Sequence, residues 1–249
     1  MPRPAKDEKG VVEIMINAIK HGQDRLESEI GRRGIFKMFF GIGREVSSEE
    51  AMRLTRIMLD CDPEYIPGIS LVCHEPSGPP EKFIKSFELA DSEGRETCCH
   101  VEWVKDRDDS EKLTSEQIRA NFQEDLPQLL KNLKTAIFDL KVTQIDHAVG
   151  LAESPELIKA VVDKNIRTTS CPGSLLTTRV IDNIEMIKID QLLDAGVQVS
   201  FDADDDICMP TLDEVFQKFR ESRCRPPSTE NLDRLARYQS QLIENAKIP

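Results

Sequence analysis

The chain has 249 residues, 39% hydrophobic and 31% charged, so it can bury one large core or two small ones and is too apolar to be disordered throughout. Its 33 Lys and Arg stand against 45 Asp and Glu, and the net charge of −12 repels phosphate backbones and anionic lipid surfaces, which argues against nucleic acid or membrane as the main partner. No apolar run approaches the roughly 20 residues of a membrane span, and the polar start, Met1-Pro2-Arg3-Pro4, lacks a signal core; a cytoplasmic protein is expected. The seven cysteines show no Cys-x-x-Cys spacing, which predicts reduced, mostly buried thiols rather than a disulfide framework or zinc ribbon.

Strands and helices alternate along the chain. Val12, Met15, Ile16 and Ile19 make one helical face, and the run Ile35 to Ile42 reads as a buried strand. Ser47, with Glu50 three residues on, offers an N-cap for a helix whose inner face is Ala51, Leu54 and Met58. Ile66 to Cys73 is the next strand, Pro80 to Ala90 carries Phe83, Ile84 and Phe87 at helical spacing, and Glu96 to Val101 is a short β-prone run. Lys105 to Lys112 is a charged loop before a helical region from about Ser115 to Leu140, which Pro127 is expected to break or kink. Val142 to His147 is a strand, Ser154-Pro155 opens a helix, Ile166 to Cys171 is a strand, Ile184 to Ala195 a helix stopped by Gly196, and Val197 to Ala203 the last strand. Helical stretches follow Thr211 and cover 229–249, while 1–10 are expected to be a flexible N-terminus.

Strict alternation predicts a parallel α/β sheet, either doubly wound or curved into a barrel. No Gly-x-Gly-x-x-Gly or Gly-x-x-x-x-Gly-Lys-Ser/Thr loop follows any strand, which removes the phosphate-cradling signals of doubly wound nucleotide folds and favours the barrel. Parallel α/β folds place chemistry at the carboxyl ends of strands. There this chain puts Cys98-Cys99-His100, Ile145-Asp146-His147 and Asp202-Ala203-Asp204-Asp205-Asp206. Imidazole nitrogen and carboxylate oxygen are zinc donors, and a catalytic zinc lowers the pKa of a water to roughly 7, so metal-assisted hydrolysis is the chemistry these residue types suggest. The plainer alternative is that each of the four histidines is a satisfied surface or core residue and the acidic run a solvated loop.

Five ordered segments resemble the adenosine and adenine deaminases of the amidohydrolase superfamily, zinc enzymes on a (β/α)8 barrel. Gly68-Ile69-Ser70-Leu71-Val72-Cys73-His74-Glu75 is similar to the family's Gly-Ile-Asp-Leu-Ala-Gly-x-Glu, and Thr97-Cys98-Cys99-His100 to the strand that ends in His-Ala-Gly-Glu. Val142 to Ala148 resembles Val-x-Arg-Ile-Asp-His-Gly, Ser170 to Ser174 resembles Cys-Pro-x-Ser-Asn, and Leu193 to Asp205 the last strand with its paired aspartates. The resemblance implies a single partial (β/α)-barrel domain over 1–249, an incomplete TIM-type barrel of about six parallel strands without the family's first two. It implies zinc as cofactor with His100 and Asp204 as metal ligands, His147 as the residue that orients or deprotonates the attacking water, Asp205 on the purine ring, and a purine base or nucleoside as substrate.

The chain departs from that pattern at defined places. No two histidines stand at His-x-His spacing, so two further ligands have no counterpart, and His100 and Asp204 alone are fewer than zinc's usual three or four. The family's proton-donating Glu falls on Trp103, while Glu102 stands one residue early, a displacement expected to turn its side chain to the opposite face. The apolar run Ile35 to Phe40 would form an open barrel edge, which predicts pairing with a second copy or a companion chain. Three readings follow: part of a longer zinc-dependent purine deaminase, a pseudoenzyme kept as a binding module, or a thiol hydrolase using Cys171 or Cys99 with His147.

Overall fold

The structure, a computed structural model, describes residues 8–31, 37–102, 105, 113–204, 210–221 and 229–245. Six strands, β1 (Phe40–Gly43), β2 (Gly68–Val72), β3 (Glu96–His100), β4 (Gln144–Asp146), β5 (Arg167–Ser170) and β6 (Gln198–Phe201), form one sheet in the order β1-β2-β3-β4-β5-β6, and every pair is parallel. A doubly wound sheet reverses its strand order at a switch point. Consecutive order without reversal is the progression of a (β/α) barrel, here an open arc of six strands.

The helices are α1 (Glu8–Ile30), α2 (Ser48–Leu59), α3 (Ile84–Ser92), α4 (Ser115–Lys134), α5 (Pro155–Asp163), α6 (Pro172–Thr177), α7 (Ile189–Asp194), α8 (Leu212–Glu221) and α9 (Thr229–Asn245). Local chemistry starts several of them. Ser47 accepts from the Glu50 amide at 3.1 Å and Ser154 from the Leu157 amide at 3.3 Å, each satisfying a donor that the first turn leaves free. Thr114 and Gln117 cap α4 reciprocally.

Three expectations shift. The first strand is shorter than the apolar run: β1 begins at Phe40, Lys37–Phe39 precede it without ladder pairing, and Ile35 and Phe36 lie outside the described residues. Helix α4 runs through Pro127 without a break and ends in a wider π-type turn at Thr135–Asp139. The carbonyl that Pro127 leaves without an amide is that of Gln123, on the exposed side of the helix where water can meet it. The stretch from Ile184 is a 3-10 turn (Ile184–Ile187) and then α7, split at Lys188, whose φ of 53° interrupts the helix; Gly196 ends α7 with φ 88° as its composition demands.

Register and the two-residue period give the sheet a polar and an apolar face. Ser70 pairs with Cys98, Cys98 with Gln144, His100 with Asp146 and Gln144 with Arg167, which puts these side chains, with Thr169 and Ser200, on one side. Ile42, Ile69, Leu71, Cys99, Ile145, Val199 and Phe201 occupy the other and are buried in the core beneath the helices. The polar side is the one a barrel would enclose.

Candidate active site

The site is assembled where β3, β4, β5 and β6 end. His100 is the last residue of β3, and Glu102, two residues on, lies on the same face because two steps along an extended chain restore the side-chain direction. This corrects the expectation that Glu102 turns away from the site: its carboxylate lies on the side of His100 and His147. The Glu102 carboxylate comes within 3.5 Å of His147 Nδ1, and the His100 and His147 rings meet edge to face with centroids 4.9 Å apart. Trp103 and Asp205 lie outside the described residues.

Asp146 sits behind His100. Its Oδ2 is 3.4 Å from His100 Nε2 and accepts from the Cys98 thiol at 2.8 Å, while Oδ1 accepts from Gln144 and Thr169, both at 2.8 Å. A carboxylate so anchored fixes the imidazole and leaves the other ring nitrogen for a ligand. Beyond β2, Glu75 is buried with Arg44 at 3.3 Å, and it accepts from the Glu102 amide at 2.9 Å.

One ligand atom from each of His100, Glu102 and His147 lies within 4.8 Å of the other two, and the same is true of His147, Cys171 and Asp204. His147 belongs to both groups. The two residues assigned to zinc by resemblance, His100 and Asp204, fall one in each, and Glu102 joins His100 as a donor that sequence reasoning turned away. The period-2 spacing of His100 and Glu102 was the signal that could have found it. Arg44 carried no signal in the sequence.

Burial dominates the electrostatics. It pushes His147 down to about 4, with the neighbouring His100 adding to the effect, and it lowers His100 as well, so both imidazoles are neutral near pH 7 and able to coordinate. Burial, then the Glu75 and Asp204 charges, raises Glu102 to about 7. The Cys171 thiol is pushed far above its ordinary range by burial and by Asp202 and Asp204, and Cys99 up to about 12 by burial, against the lowering by Arg44. A nucleophilic cysteine needs the opposite environment, which weighs against the thiol-hydrolase reading.

The donors fit zinc. Two neutral imidazoles and a carboxylate form a donor set that catalytic zinc uses with a fourth position open. The buried Nδ1 of His147 has no hydrogen-bond partner, which an ion at that nitrogen would supply. The 3.5 Å between that nitrogen and Glu102 matches the roughly 3.3–3.5 Å edge expected of tetrahedral zinc ligands. Backbone strain gathers at the same place: Cys73, His147, Ala148 and Asp204, following β2, β4 and β6, all have positive φ, 73°, 63°, 49° and 63°.

A consecutive parallel β/α arc with imidazole and carboxylate donors at its strand ends has the architecture of the amidohydrolases. Residues 128–237 match the family model described as Adenosine deaminase. Over 162 residues the chain is 32% identical to an uncharacterized deaminase of Schizosaccharomyces pombe, covering 65% of this chain and 41% of that protein. Over 193 residues it is 28% identical to an adenine deaminase of Psychrobacter cryohalolentis, covering 78% and 50%. In fold it resembles the adenine deaminase of Arthrobacter aurescens (TM-score 0.60, 18% identity, 92% of this chain and 67% of that one) and a zinc-bound amidohydrolase of Burkholderia ambifaria (0.59, 19%, 92% and 63%). It also resembles Arabidopsis ADAL complexed with GMP (0.59, 17%, 84% and 56%). These matches make the chain similar in sequence to the adenosine and adenine deaminases and in fold to amidohydrolase barrels, and it spans about half the length of the curated relatives it matches.

Proposed function

We propose that the strand-end mouth binds a divalent ion and a purine base or nucleoside, and that its reaction is the slow hydrolytic removal of the exocyclic amine. The observation that carries this reading is the convergence of His100, Glu102 and the unpartnered Nδ1 of His147. These three residues would hold the ion, with Asp204 on the far side of His147. Bound there, zinc would act as a Lewis acid and lower the pKa of a water molecule.

The protein's own groups do the rest. Asp146 keeps the His100 ring oriented, and the neutral state of both imidazoles leaves their nitrogens free to coordinate. Asp204, exposed at the mouth, would take a proton from an entering water, in place of the ligand role that the resemblance gives it, and His147 would be a ligand. The ring contact that the resemblance gives to Asp205 belongs to the same proposal. Because the family's acid falls on Trp103, that position supplies no proton donor for the ring, and losing a positioned acid costs roughly 10²- to 10⁴-fold.

Ammonia release from adenine, adenosine and AMP by zinc-supplied protein tests the reading. Turnover of ~0.1 s⁻¹ or less, abolished in His100→Ala, is the expected result. Zinc-loaded protein that binds purines and releases no ammonia would favour the second reading, a binding module without turnover, which the placement of Trp103 at the acid position supports.

A further inference from the structure

Two buried charges stand behind the site without entering it. Arg44, just after β1, is 0% exposed and Glu75, just after β2, is 3% exposed. Arg44 Nη2 donates to the His100 carbonyl at 2.6 Å and lies 3.3 Å from Glu75 Oε1, and Nη1 donates to the Gly78 carbonyl at 3.1 Å. Glu75 Oε2 accepts from the Glu102 amide at 2.9 Å, and Oε1 from Asn132 Nδ2 at 3.1 Å.

Between these two anchors, Val101 donates its amide to the Asp146 carbonyl and accepts from the Val149 amide, each at 3.0 Å. Every main-chain polar group from the His100 carbonyl to the Glu102 amide therefore has a partner. The outermost two are held by the ion pair itself. Taking a cation and an anion out of water is a poor way to stabilise a fold, since apolar residues of the same volume usually do as well. A planar guanidinium does hold several acceptors at fixed angles, which an apolar side chain cannot do.

We propose that Arg44 and Glu75 are positioning residues: they fix the His100–Glu102 segment so that the imidazole and the carboxylate converge with His147. The part of this inference that concerns metal affinity rests on the proposed function; the part that concerns the backbone does not.

The test is the double variant Arg44→Met/Glu75→Met in the full chain, which removes both charges together, beside Arg44→Lys, which keeps the charge and loses the fork. Hydrogen exchange at the Glu102 amide and zinc affinity by chelator competition are read in each, with the thermal midpoint as a check on folding. Expected are folded variants whose Glu102 amide exchanges at least about tenfold faster and whose zinc affinity falls about 10- to 100-fold, the range for groups that orient metal ligands. Glu75→Gln, which retains an acceptor for the Glu102 amide, should recover most of the protection. Folded variants with unchanged exchange at Glu102 would overturn the inference. If the unsubstituted chain takes up no zinc, the proposed function fails while the exchange measurement still decides the positioning role. If the double variant does not fold, Arg44→Lys gives the same decision.

Discussion

The rings of His100, which ends β3, and His147, which follows β4, meet edge to face, centroids 4.9 Å apart and planes at 69°. The register that pairs His100 with Asp146 sets the level, and the left-handed backbone at His147 and Ala148 turns the second ring toward the first. Two neutral imidazoles at this distance, with Glu102 beside them, are what the proposed ion would use.

Glu102→Gln should separate metal binding from folding. Glu102 is raised from 4.5 to about 7, so between those values the folded chain holds a proton that the unfolded chain has lost. Stability therefore falls as pH rises through that window, and Glu102→Gln should flatten the slope in a denaturant titration repeated from pH 4.5 to 7.5. Zinc requires the ionised carboxylate, so binding near pH 6.5 should release a proton in the unsubstituted chain and less in the variant, measured by calorimetry in buffers of different ionisation enthalpy.

His147 gives a slope of the opposite sign. Burial lowers it from 6.5 to about 4, so the unfolded chain takes up a proton that the folded chain refuses, and stability is lost as pH falls through that range. His147→Gln should remove this acid-side loss. An unchanged pH profile in the variant would mean that the ring is not held neutral.

Much of the fold is legible in the sequence, because alternation of apolar strands with capped helices is a local signal. Ser47, Ser154 and Gly196 act as punctuation, as their residue types dictate. The site is legible only in part. His100 and His147 are visible as donor types at strand ends, but Glu102 needs the position of His100 on the strand face, and the Arg44 contacts cross two strands, a relation that no spacing encodes. Pro127 misleads for a similar reason: its cost depends on whether the Gln123 carbonyl meets solvent, which is a property of packing.

Gly68 leaves no room for a side chain between β2 and β3, since a Cβ placed there would lie 1.7 Å from the Glu96 carbonyl oxygen. Gly68→Ala must push β2 away from β3, the strand that ends in His100, and a loss of roughly 3 kcal/mol is expected in chemical denaturation. A loss under about 1 kcal/mol would show that the sheet relaxes locally.

Thiol reactivity should follow burial. Cys98, Cys99 and Cys171 are buried with raised pKa values, whereas Cys73 is exposed and less strongly raised. Native protein treated with iodoacetamide at pH 8 should be labelled at Cys73 before any of these three, as read by peptide mass spectrometry. Rapid labelling of Cys171 would return the thiol-hydrolase reading to consideration.

The most direct measurement is the zinc content of the purified, gel-filtered full chain after equilibration with zinc and removal of the unbound ion. A centre made by His100, Glu102 and His147 is expected to retain about one zinc per chain, falling to a small fraction in His100→Ala. Folded protein that retains no zinc would contradict the metal centre and with it the proposed hydrolytic function.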